Sequence, residues 1–157
     1  MKHVLVGVDF SPLAKLALNA ALEIVASRDE TKLYVVHVAK SLGPMVRLEL
    51  DDDERTVSPK EAASFLQDYV EQHLAAWQRA DRSVDSADVS THVRVGSAST
   101  EIVQLGAEVD ADVIVVGTEG RSGVERFLLG SVAENVVQKA GCPVWVVREK
   151  TREQEEN

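Results

Sequence analysis

Four of the nine glycines fall within residues 117–131, in the stretch GTEGRSGVERFLLGS. Glycine lacks a Cβ, so main-chain amides there can approach a ligand closely. Gly130-Ser131 stands at the start of a helical pattern, and a helix start presents unpaired N–H groups and partial positive charge. The Ser131 hydroxyl offers a further donor to a phosphate oxygen. Arg121 and Arg126 offer charge-assisted contacts. The chemistry these residues suit is anion binding, with phosphate the natural ligand. Two standard phosphate templates fail on spacing. Gly130-Ser131 has no lysine between its two residues, which excludes a P-loop, and "GVDFSP" after the first apolar run excludes a G-x-G-x-x-G dinucleotide turn. What remains is Gly117-x2-Gly120-x9-Gly130-Ser131. A plainer reading fits the same residues: Gly117 and Gly120 as loop turns, and Ser131 with Glu134 as an S-x-x-E capping box. Spacing alone leaves both open.

Elements that would position these residues alternate along the chain. His3–Val8 is a short β-branched apolar run and reads as a buried strand. Ser11-Pro12 caps a helix running to about Ser27. Residues 32–38 (KLYVVHV) form a second strand. Ala39–Val57 shows no clear period, carries DDDE at 51–54, and reads as a mobile acidic loop. Ser58-Pro59-Lys60-Glu61 is a capping box for a helix whose Phe65, Leu66, Tyr69, Val70, His73, Leu74 and Trp77 share one face. Asp88–Val95 alternates as a third strand, and Gly96 with the Ser/Thr cluster 97–100 opens another helix. Asp112–Val116 is a fourth strand. A helix from Ser131 to about Ala140 and a fifth strand, Val144–Val147 (VWVV), complete the pattern. Strand–helix alternation of this kind predicts an α/β fold with a mostly parallel sheet and helices on both faces.

Other side chains carry weaker signals. His3, His37, His73 and His92 lack metal-ligand spacing and read as packing residues. The acidic run lacks the glycine and distal glutamate of a calcium loop. Cys142, the lone cysteine, reads as a structural thiol. A net charge of −9 with no basic patch argues against nucleic acid and anionic membranes as partners. No apolar run reaches the length of a membrane span or a signal-peptide core, which makes a cytoplasmic location the expectation.

The chain resembles the universal stress protein (UspA-like) family, in its ATP-binding branch. Residues 117–131 match that branch's G-x2-G-x9-G-[ST] motif. VLVGVDFSPLAKLALNAA at the start, HV at the end of the second strand and GSVAENVVQKAGCPVWVV near the end match as well. The resemblance spans residues 1–148 as one domain and leaves 149–157 as a disordered acidic tail. It implies a Rossmann-like, adenine nucleotide alpha hydrolase-like fold: a five-stranded parallel sheet of order 3-2-1-4-5. That order makes the first and fourth strands neighbours at a switch point, where ligands of open α/β sheets bind.

The resemblance also implies site roles. Gly7, Val8 and Asp9 line a nucleoside pocket, with Asp9 contacting ribose or adenine; N-capping of the first helix is the alternative for Asp9. Val38 meets adenine through its backbone, and Val116 and Gly117 sit near the ribose. Gly120, Gly130, Ser131 and Val132 wrap the phosphates, with Arg121 beside them. Glu119 departs from the family habit of a non-acidic residue there. Its carboxylate faces solvent, is bridged by a divalent cation such as Mg2+, or makes the affinity modest. The family pairs its fifth strands into a homodimer, which suits Val144, Trp145, Val146 and Val147.

Three functions follow as expectations: an ATP-holding dimeric module that reports occupancy to a protein partner, a slow ATPase or autophosphorylating enzyme, and a scaffold without nucleotide. No catalytic base or arginine finger is assignable, and Ser122 and Ser131 are weak acceptor candidates.

Overall fold

The structure, a computed structural model, describes residues 1–50, 52–118 and 129–150. The order is β1 (His3–Gly7), α1 (Pro12–Ala26), β2 (Lys32–Leu42), β3 (Met45–Glu49), β4 (Glu54–Val57), α2 (Pro59–Arg79), β5 (Val89–Val95), α3 (Ala98–Glu108), β6 (Val113–Gly117), α4 (Ser131–Lys139) and β7 (Val144–Val147). The α/β expectation holds. The five-parallel-strand expectation needs correction: the sheet has seven strands of mixed orientation. Strands β5, β2, β1, β6 and β7 pair in parallel in that order, while β3 and β4 add on antiparallel beside the far end of β2.

The addition lies in the segment read as a loop. Strand β2 does not stop at Val38 but runs on through Lys40 and Ser41 to Leu42. Gly43 then adopts a left-handed φ of 65°, which glycine does without a Cβ penalty, and turns the chain. Val46 and Leu48 are buried while Arg47 and Glu49 alternate with them, a period of two that marks a half-buried strand. Cross-strand ion pairs Lys40–Glu49 (3.0 Å) and Arg47–Glu54 (2.9 Å) border the hairpin. The acidic run is therefore partly the polar side of a strand pair.

Alternation along the central strands divides the core in two. Val4, Val6, Leu33, Val35, Val113 and Val115 face α1 and α2 in one cluster. Leu5, Val36, Ile114 and Val116 face α3 and α4 in the other. Both faces are covered, so these strands are apolar throughout. Each fully buried Leu or Ile, such as Leu5 and Ile114, contributes about 1.5–3 kcal/mol.

The helices start as the sequence predicts. Ser11 caps α1, accepting from the Ala14 N–H at 3.3 Å, with Pro12 next. At α2, Ser58 accepts from the Glu61 N–H (3.2 Å) and Glu61 accepts from the Ser58 N–H (2.7 Å), a closed capping box. Leu66, Val70, Leu74 and Trp77 form the buried stripe of α2.

At the amino ends of β1 and β6, opposite the β1–α1 turn, Asp112 accepts from the Lys2 N–H (2.6 Å) and the His3 N–H (2.9 Å). These bonds, that to His3 first, hold its carboxyl below the usual carboxylate range. A depressed folded-state value contributes stability above the unfolded-state value, and the contribution is lost as the pH falls through the folded one. Asp112→Asn is therefore expected to melt below wild type at pH 7. Melting curves at stepped pH check this: the gap closes as the pH falls below about 4. A gap independent of pH rejects the linkage.

Candidate functional site

A cleft opens where β1 and β6, neighbours in the sheet, release the chain in opposite directions. It is lined by Gly7, Val8 and Asp9 after β1, Val36 and Val38 of β2, and Val116 and Gly117 of β6. Ala14 of α1, Ala98 and Ile102 of α3, and Val132 and Ala133 of α4 complete it. Its space is about 550 Å³ when the open solvent at its mouth is included. In a parallel sheet the helix that follows each strand starts at the strand's carboxyl end. That is why three helix starts meet here.

Seven of the residues singled out from the sequence line this cleft: Gly7, Val8, Asp9, Val38, Val116, Gly117 and Val132. Gly130 and Ser131 lie just before Val132, Gly130 as the N-cap of α4 and Ser131 as its first residue. Gly120 and Arg121, with Glu119, Ser122 and Arg126, lie outside the described residues. Ala14, Val36, Ala98, Ile102 and Ala133 were not anticipated. Only the Ser/Thr cluster at 97–100 hinted that the start of α3 belongs at this edge.

The plainer readings resolve differently from the expectation. Ser131 is not the N-cap of a capping box. Gly130 occupies that position, its carbonyl accepts from the Glu134 N–H at 3.0 Å, and the Ser131 side chain is exposed. Ser97, the N-cap of α3, also makes no side-chain cap bond. The two helix starts on this face therefore lack the side-chain caps that Ser11 and Ser58 give α1 and α2. Asp9 is not the N-cap of α1. Its Oδ1 accepts from the Ser11 N–H (3.1 Å) and from the Ser11 hydroxyl, which orients the residue that is the cap.

The rest of the lining is apolar and closely fitted. A Cβ at Gly7 would lie 2.9 Å from Ile102 Cδ1, so the glycine allows α3 to close the floor. Thr118 is buried just beyond β6. Its N–H donates to the Val147 carbonyl (2.9 Å), and its own carbonyl accepts from the Gly130 N–H, tying the end of β6 to the start of α4. Among the described residues the arrangement offers an apolar slot, main-chain polar groups, the Asp9 carboxylate and the positive end of α4.

Side chains elsewhere make ordinary contacts. His3 Nδ1–H donates to the Val109 carbonyl, and His73 Nδ1–H donates to the Tyr69 carbonyl. Burial lowers the His92 imidazole and raises the Cys142 thiol, which keeps the thiol protonated. No described helix is long and apolar enough to cross a membrane.

Known proteins resemble this chain in sequence and in fold. Residues 1–148 match the family model described as Universal stress protein family. A Staphylococcus aureus (strain USA300) protein named as a universal stress protein is 35% identical over 153 residues, covering 94% of this chain and 84% of that protein. A universal stress protein solved in complex with cAMP superposes with a TM-score of 0.64 at 26% identity, over 94% of this chain and 96% of that one. The Archaeoglobus fulgidus universal stress protein in complex with dAMP gives 0.61 at 27%, over 94% and 98%.

Proposed function

This chain belongs to the universal stress protein family, and from that premise we propose that it is a nucleotide-binding regulatory module that holds ATP in the switch-point cleft. The observation that carries the reading is the pairing of an apolar slot with an uncapped helix start at one end. A purine ring suits the slot between Val38 and Ile102, and a polyanion suits the first turn of α4. The complexes of related structures with cAMP and dAMP support an adenine ring as the base. Asp9, at the rim beside Gly7 and Val8, suits a ribose hydroxyl as acceptor. Among the described residues no three His, Cys, Asp or Glu side chains gather to hold a metal. A Mg2+ ion suits the ligand's phosphates.

The module acts as a cytoplasmic homodimer in this reading, joined along β7. That strand is paired on one side by β6 and is last in the sheet order, and among the described residues no strand pairs with its outer edge, which suits a second copy. Nucleotide occupancy is then a signal for a protein partner.

Mass spectrometry of the denatured, extracted protein tests the reading, with isothermal titration against ATP and AMP. Recovery of an adenine nucleotide and measurable heats are expected. Protein that releases no nucleotide and gives no heat with either ligand overturns the proposal.

A further inference from the structure

Val8 is the cleft residue whose main chain leaves the sheet. Its N–H still donates to the Val36 carbonyl at 2.9 Å, as a strand residue's would. Its carbonyl does not continue the ladder in the same way: the buried His37 ring reaches it, with Nδ1 at 2.8 Å. A carbonyl only accepts, so Nδ1 carries the proton. Two residues on, Phe10 adopts a φ of 62°, a left-handed conformation that side chains rarely take. Its ring is buried, 4.4 Å from the His37 ring and edge-on to Phe65 and Tyr69 of α2 at 5.0 and 5.1 Å. Between these two anchors stands Asp9, whose carboxylate is held by Ser11.

We infer that His37 and Phe10 form a clamp that fixes the Val8–Ser11 turn, making His37 a positioning residue for the ligand that Asp9 meets. His37 is not itself among the residues that line the cleft. It acts through the Val8 carbonyl, while its ring and α2 hold Phe10 in a backbone conformation the free chain disfavours. The clamp sets where the Asp9 carboxylate stands relative to the apolar slot. This rests on the proposed nucleotide site for its effect on binding, but not for its effect on the turn.

Two variants separate position from packing. His37→Leu keeps an apolar side chain and removes the donor. His37→Asn places an amide N–H near the position of Nδ1. ATP affinity is measured by isothermal titration, and amide hydrogen exchange is read at Phe10 and Ser11. His37→Leu is expected to weaken ATP about tenfold, the scale of one hydrogen bond, and to speed exchange at the turn. His37→Asn is expected to stay within about twofold of wild type in affinity, although both variants lose some thermal stability. A purely structural histidine would lower both melting temperatures and leave both affinities alone. Should His37→Leu fail to fold, His37→Gln replaces it, because its amide reaches toward the Nε2 position instead. Where wild type binds ATP, unchanged affinity in the donor-less variant overturns the clamp, and unchanged exchange overturns it whatever the affinity. Wild-type protein that binds no nucleotide, with faster exchange in the variant, overturns the function and upholds the clamp.

Discussion

Ser131→Asp is expected to weaken the proposed ATP binding by about a hundredfold while leaving the fold as stable as before, or slightly more so. Opposite signs are expected because the new carboxylate meets two different partners. Ser131 is the exposed first residue of α4, so an aspartate side chain enters without displacing any packed atom. An acid in the first turn favours the helix by about 0.3–1 kcal/mol through the macrodipole. To a phosphate at the same helix start it is a like charge. At about 5 Å and an effective dielectric near 20, that repulsion is about 3 kcal/mol, or two decades in affinity. Titration with ATP and with adenosine, beside a melting curve, measures both effects. Adenosine, which has no phosphate, keeps its affinity in the variant. Equal losses for the two ligands, or none for ATP, would remove the phosphates from the start of α4.

Trp145→Lys is expected to turn the proposed β7-joined dimer into a folded monomer. Trp145 lies on β7 with 47% of its surface exposed, and Val137 of α4 leaves 46% exposed. An exposed tryptophan on a sheet's last strand carries apolar area that a second copy would cover. In a two-fold interface each substitution counts twice. The variant removes two indoles and sets two ammonium groups near each other. Strand β7 keeps its pairing with β6 and its partly buried Val144, Val146 and Val147, so the protomer stays folded. Sedimentation velocity over a concentration series reads the outcome. A variant that still sediments as a dimer, or a wild type that never does, places the interface elsewhere or nowhere.

The parallel strands and helix starts were legible because each rests on a local signal. Fully apolar runs such as 113–116 and serine-proline caps at Ser11 and Ser58 fix an element without reference to the rest of the chain. The hairpin of β3 and β4 was not legible. Its alternation, Val46, Leu48 and Leu50, is short and sits beside an acidic run that resembles solvent-exposed loop. Its stability comes from pairing with the extended end of β2 across the Gly43 turn and from packing against α2, neither of which its own residues announce. The site divides along the same line. Gly7, Asp9 and Gly117 stand at strand ends and carry unusual residue types. Ala14, Ala98 and Ala133 line the same cleft with the least informative side chain available. Only the convergence of three helix starts puts them there. The left-handed Phe10 was also hidden, since no sequence rule places a buried aromatic in that conformation.

The bond from the Gly130 N–H to the Thr118 carbonyl joins the end of β6 to the start of α4 through main-chain atoms alone. No side chain takes part in it, so substitutions at either position leave donor and acceptor in place, proline at 130 excepted. Exchanging side chains does not undo this fastening; only a change to the backbone itself does.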